Sequence, residues 1–159
     1  DSNLQSGEKA VGINISAGNK DRLWPQNCHI TLMKLIIEKY PFFRIVIFTT
    51  PDDYDRGEIL IKNFPKATII PPGLSLLGAA AILSKMSFFI SPDTSMIHIA
   101  RSFGIPVVGL YIPSQENHKR WFPIGQKKGV IVAVDDYSID RIAPETVIKE
   151  MESILAEVK

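Results

Sequence analysis

The sequence holds one cysteine, Cys28, so no internal disulfide can form. The fold must rest on an apolar core, and a reducing, cytoplasmic setting is expected. Long apolar runs are missing too. None approaches the roughly 20 residues that cross a bilayer, so no transmembrane segment is expected. The opening stretch Asp1-Ser2-Asn3-Leu4-Gln5-Ser6-Gly7 has no basic region followed by an apolar one, so it is not expected to be a secretion signal. It also lacks an initiator Met, and the expectation is a piece of a longer chain with residues 1–9 as a flexible lead-in. Neither sign of charge is in excess: 18 Lys and Arg face 17 Asp and Glu, for a net charge of +1. That balance excludes a nucleic-acid binder working through a broad basic field.

Several motifs are absent as well. No G-x-G-x-x-G follows the first apolar run and no G-x-x-x-x-G-K-[ST] occurs, which disfavours dinucleotide oxidoreductases and P-loop enzymes. His29, His98 and His118 are scattered. Cys28 and His29 are adjacent, and neighbours on a helix do not face one another, so neither a thiol–imidazole pair nor a zinc site is suggested. There is no internal repeat, low-complexity tract or linker.

What is present is a globular composition, 45% hydrophobic and 22% charged over 159 residues, enough for one domain with a real core. Short apolar runs alternate with amphipathic segments. Strands are expected at Ala10–Ser16, Arg44–Thr49, Ala67–Ile70, Ser87–Ile90, Pro106–Tyr111 and Val130–Val134. Helices are expected at Asn27–Tyr40, Asp52–Asn63, Leu76–Lys85 and Ser95–Phe103, and from Pro144 to about Val158. Gly104 is placed to end the fourth helix as its C′ residue, and Pro144 to open the last at N1. This alternation predicts a single α/β domain, a doubly wound parallel sheet of Rossmann-like type.

Such sheets bind ligands beyond the carboxyl ends of their strands, where helices begin. Three junctions carry suitable side chains. In Ser91-Pro92-Asp93-Thr94-Ser95-Met96-Ile97-His98, a strand runs into a helix whose first N–H groups form an anion site. Asp93 or Thr94 is placed as N-cap, and His98 shares the side of Thr94. Met96, Ile97, Ile99, Ala100 and Phe103 are expected as core, and Thr94, His98, Arg101 and Ser102 as a polar stripe. Helix capping with a surface histidine explains the same residues without a ligand.

The Ser16–Pro25 loop offers small residues, Gly18 among them, with Lys20 and Arg22 supplying charge. A plain surface loop anchored by Trp24 is the alternative. In Thr49-Thr50-Pro51-Asp52-Asp53, a carboxylate can accept hydrogen bonds from a ribose diol, or can simply favour a helix start. Asp53-Tyr54-Asp55 spells the D-x-D of metal-dependent sugar transferases, but it falls in an expected helix and no metal site is assigned. Lys119-Arg120 and Lys127-Lys128, around Trp121, read as solvated surface or as a phosphate- or lipid-facing rim.

The stretch Gly73–Tyr111 resembles the donor-site core of glycosyltransferase family 9, the ADP-heptose:lipopolysaccharide heptosyltransferases of GT-B fold. The matching positions are Ser75-Leu76, Ala79-Ala80-Ala81, Asp93-Thr94-Ser95, His98 and Gly104-Ile105-Pro106. Gly18 with Arg22-Leu23-Trp24-Pro25 is similar to the family's glycine loop ending in a basic residue and Trp-Pro. The likeness runs from about Val11 to Val134. The resemblance implies the C-terminal, donor-binding half of a GT-B enzyme, with the N-terminal acceptor domain outside this chain. Thr94, Ser95 and His98 would meet the donor diphosphate, with Asp93 also in the donor site, Arg22 or Lys20 would counter its charge, and Asp52 or Asp53 would hold the ribose. Where the family usually has Gly, this chain has Ser95, which narrows the space over the helix end.

The implied reaction is an inverting, metal-independent transfer with no cofactor beyond the nucleotide-sugar substrate, ADP-heptose in the family. The implied partner is a lipopolysaccharide-core acceptor at the inner face of the inner membrane, with peripheral membrane contact. The catalytic base would belong to the acceptor domain, so none is named, and the isolated chain is expected to turn over nothing. Two alternatives stay open: the donor domain of another GT-B transferase or nucleotide-sugar epimerase, and a non-catalytic binding or scaffold domain.

Overall fold

Alternation along the chain resolves into a layered α/β unit in a computed structural model that describes residues 9–113, 122–134 and 137–157. Residues 1–8, His118, Lys119-Arg120, Trp121 and residues 158–159 lie outside the described residues, while Lys9, expected in the lead-in, opens the first strand. The elements in order are β1 (Lys9–Asn14), α1 (Gln26–Lys39), β2 (Phe43–Phe48), α2 (Tyr54–Ile61), β3 (Thr68–Ile69), α3 (Leu76–Leu83), β4 (Phe88–Pro92), α4 (Ser95–Ser102), β5 (Val107–Tyr111), β6 (Val130–Val132) and α5 (Pro144–Glu157). The described strands form one parallel sheet in the order β3-β2-β1-β4-β5-β6. Ile13 pairs with Ile47 on one side and Ile90 on the other, which places β1 at the centre.

Successive side chains on a strand point to opposite faces, and the apolar runs divide accordingly. Val11, Ile13, Ile45, Ile47, Phe88, Ile90, Val108 and Leu110 pack under α1, α2 and α5. Ala10, Val46, Phe48, Phe89, Val107 and Tyr111 pack under α3 and α4. Both faces are covered, which is why the strands read as nearly unbroken apolar runs.

Three expectations need correction. The expected Asp52–Asn63 helix is split, because Pro51 opens a tight 3-10 turn (Pro51–Asp53, with Asp53 N–H on the Thr50 carbonyl at 3.2 Å) and α-helix begins only at Tyr54. Phe103 is not core. α4 ends at Ser102 and the Phe103 backbone leaves the helix, so its ring is 49% exposed. β6 stops at Val132, and Val134 lies in solvent. Gly104 does take the left-handed conformation a helix-ending glycine needs, with φ of 74°.

Candidate functional site

In this strand order the connections from β1 and β4 run to opposite sides of the sheet. A crevice therefore opens outside their carboxyl ends. A cavity of about 600 Å³ lies there. Asn14, Ser16 and Gly18 enter it from the end of β1, Thr49 to Asp53 from the end of β2, and Thr94 to Met96 from the tip of α4. Ile70, Leu74, Leu76 and Ala79 line it on the β3 side. The sheet order puts hydroxyls and the helix tip at one end, and apolar side chains at the other.

The polar end is organised by a residue that sequence reasoning missed. Asn14 is 5% exposed at the end of an otherwise apolar strand. Its Oδ1 accepts from the Ser16 N–H at 3.2 Å, and its Nδ2 donates to Ser91 Oγ at 3.0 Å and Thr94 Oγ1 at 3.3 Å. Ser91 Oγ donates to the Pro92 carbonyl at 2.7 Å and lies 3.1 Å from Thr94 Oγ1. Asn is depleted in strands, so Asn14 within an apolar run was the available signal. The capping reading of Thr94 is not what the structure shows. Thr94 occupies the N-cap position, but no side chain caps the helix, and its hydroxyl is turned to Ser91 and Asn14. Thr94, Ser95 and Met96, at this uncapped start of α4, line the cavity.

The other expected site residues separate into two groups. Gly18, Asp52, Asp53, Thr94 and Ser95 line the cavity, whereas Lys20, Arg22, Asp93 and His98 do not. His98 shares a helix side with Thr94, but four residues carry it about 6 Å down the axis, away from the tip. Arg22 turns to the neighbouring junction: its Nη1 is 3.2 Å from Asp93 Oδ2 and donates to the Asp93 carbonyl at 3.3 Å. Burial raises the Asp93 carboxyl above its ordinary value, while the charges of Arg22 and His98 oppose that rise. Lys20 is exposed in a short 3-10 turn that Asn19 caps by accepting from the Asp21 N–H.

Asp53 and Asp52 are distinguished by their partners. Burial works against the charged form of Asp53, but a 2.8 Å bond from Arg56 and the hydroxyls of Ser16 and Thr50 outweigh it and hold its carboxyl below the usual value. Asp52 is exposed and, among the described residues, carries no hydrogen bond or ion pair. The D-x-D reading loses its first carboxylate to Arg56, and no cluster of metal-ligating side chains occurs among the described residues. Lys128, in the loop before β6, reaches α5 and bonds to Ser153 and Glu157. Arg101, expected on a polar stripe, instead ties loop carbonyls, donating to Ile124 and Ile105 at 2.9 and 2.8 Å. Trp24 is 1% exposed and donates to the Ile142 carbonyl at 3.0 Å, the anchor its alternative reading described. No helix among the described residues is long and apolar enough to cross a membrane.

A parallel sheet in this order, with a hydroxyl-floored crevice and an uncapped helix tip at its reversal point, defines a doubly wound α/β domain of the GT-B type. The family follows from comparison. The model of glycosyltransferase family 9 (heptosyltransferase) matches residues 1–157, and the chain belongs to that family. Among solved structures it is similar to ADP-heptose lps heptosyltransferase II of E. coli, at TM-score 0.79 and 20% identity over 98% of this chain and 49% of that one. It is also similar to E. coli heptosyltransferase WaaC with ADP-2-deoxy-2-fluoro heptose, at TM-score 0.73 and 22% identity over 95% and 45%. A family 9 glycosyl transferase from Veillonella parvula matches at TM-score 0.76 and 22% identity over 97% and 48%. The chain thus spans about half the length of the solved relatives it matches. No curated protein matches it by sequence.

Proposed function

We propose that this chain is the donor-binding, C-terminal half of a heptosyltransferase, taking ADP-heptose as donor for a lipopolysaccharide-core acceptor. The observation that carries the reading is the uncapped tip of α4 opening into the cavity, with Thr94, Ser95 and Met96 along its wall. The diphosphate sits against the first-turn N–H groups, where backbone donors and the helix dipole favour negative charge. The nucleoside then extends across β1 and β2 toward the apolar side chains beyond β3. Asp52, the carboxylate without a partner, holds the ribose diol, and Asp53 stays with Arg56. Ser95 narrows the space over the tip.

In the transfer, an acceptor hydroxyl attacks the anomeric carbon with inversion and the nucleoside diphosphate leaves. Charge grows on the leaving diphosphate, so the tip of α4 and a nearby cation stabilise the transition state more than the ground state. No metal is required in this scheme. The base and the acceptor site belong to the half of such enzymes outside this chain, which works at the cytoplasmic face of the inner membrane and leaves the isolated chain a binder without turnover.

Calorimetric titration with ADP, UDP and GDP tests the reading. It expects ADP to bind best. A UDP preference supports another GT-B transferase or a nucleotide-sugar epimerase, and silence toward all three supports a scaffold.

A further inference from the structure

We propose that Asp93 is a positioning residue that holds Arg22 in reserve beside the cavity until a nucleoside diphosphate takes the guanidinium from it. The inference rests on the nucleotide-diphosphate reading and adds to it a defined exchange of partners.

The pair joins two loops 71 residues apart in sequence, one after β1 and one after β4. Both side chains stand outside the cavity wall, although Gly18 and Thr94 on the same two loops form part of it. The guanidinium is under-used. Only Nη1 is bonded to Asp93, through one carboxylate oxygen and the main-chain carbonyl, and Nε is buried without a partner among the described residues. A guanidinium offers five donors in a planar fork that matches two oxygens at once. The Asp93 contact uses that fork poorly, and a diphosphate with several charged oxygens would use it better. The pair is largely shielded, with side chains 29% and 10% exposed, so the guanidinium leaves it only for a partner that uses more of its donors and carries more charge.

Two effects of Asp93 can be separated. Its charge repels any anion nearby, whatever Arg22 does, whereas its hold on Arg22 matters only when Arg22 is present. A double-mutant cycle on ADP affinity distinguishes them. The full chain is titrated as wild type, Asp93→Asn, Arg22→Ala and the double variant, with melting temperatures recorded alongside. The account expects Asp93→Asn to tighten ADP binding by about three- to fivefold and Arg22→Ala to weaken it by about tenfold. It expects most of the Asp93→Asn gain to vanish in the Arg22→Ala background. Equal tightening in both backgrounds overturns the exchange and leaves repulsion alone. Weakening by Asp93→Asn overturns it in favour of Asp93 supporting the bound arrangement. If wild type binds none of ADP, UDP and GDP, the nucleotide reading falls and the exchange falls with it. The wild-type Arg22 Nε–H resonance gives a readout that does not depend on any variant folding: it moves on ADP addition if the guanidinium changes partner, and its staying put contradicts the proposal.

Discussion

Acid should weaken this fold through one side chain. His29 sits on α1, 1% exposed, edge-on to Trp24 at 5.0 Å between ring centroids, and neither ring nitrogen has a partner among the described residues. Burial, assisted by the positive charge of Arg56, lowers its pKa from 6.5 to about 3. The native state therefore refuses a proton that the unfolded chain accepts, so stability is lost as pH falls below 6.5 and the loss is complete only near the folded value. From pH 7 to pH 5 the unfolded imidazole passes from mostly neutral to almost fully charged while the folded one stays neutral, a loss of about 2 kcal/mol. That figure barely depends on the folded pKa, provided it lies well below 5. Urea unfolding of wild type and His29→Leu at pH 7, 6 and 5 measures it. Other groups titrate in both proteins, so the quantity that counts is the difference in slope. His29→Leu should be shallower by about 2 kcal/mol over that interval, with little change at pH 7 because no hydrogen bond is removed. Parallel slopes would refute the reasoning.

Other perturbations have defined outcomes. Gly12→Ala would place a Cβ 2.8 Å from both the Phe48 and Phe89 rings, themselves packed edge to face; overpacking there should cost about 1–3 kcal/mol in a urea melt. Trp24→Phe removes the donor to the Ile142 carbonyl and should cost about 1–3 kcal/mol by the same measurement. Thr94→Ala should weaken ADP binding about threefold to tenfold by calorimetry while lowering the melting temperature by only a few degrees, because the hydroxyl caps nothing. Asp52→Ala should reduce affinity for ADP far more than for ADP analogues lacking the ribose diol, whereas Asp53→Ala should cost stability through Arg56 and blur that distinction.

The strands were legible because both faces of the sheet are buried, which leaves runs such as Arg44–Thr49 almost without polar interruption. Boundaries moved where a local bond outweighed periodicity, as at Pro51, or where a helix stopped short, as before Phe103. The α4 junction was legible because small and polar residues follow an apolar strand directly. The links between junctions were not. Nothing local in Arg22 announces Asp93, and nothing in Ser91 or Thr94 announces Asn14, since each contact depends on β1 and β4 lying side by side. For His98, helical spacing reports the side of the helix and says nothing of distance from the tip.

Whether phosphoryl oxygens settle on the amide-bearing end of α4 is answered most directly by the backbone amide resonances of the chain as ADP is added. The account predicts that the largest changes fall on Ser95 and Met96, with Gly18 and Asp52 following and the amino-terminal end of the strands around Phe42 unmoved. Saturable binding that leaves Ser95 and Met96 unchanged would contradict it.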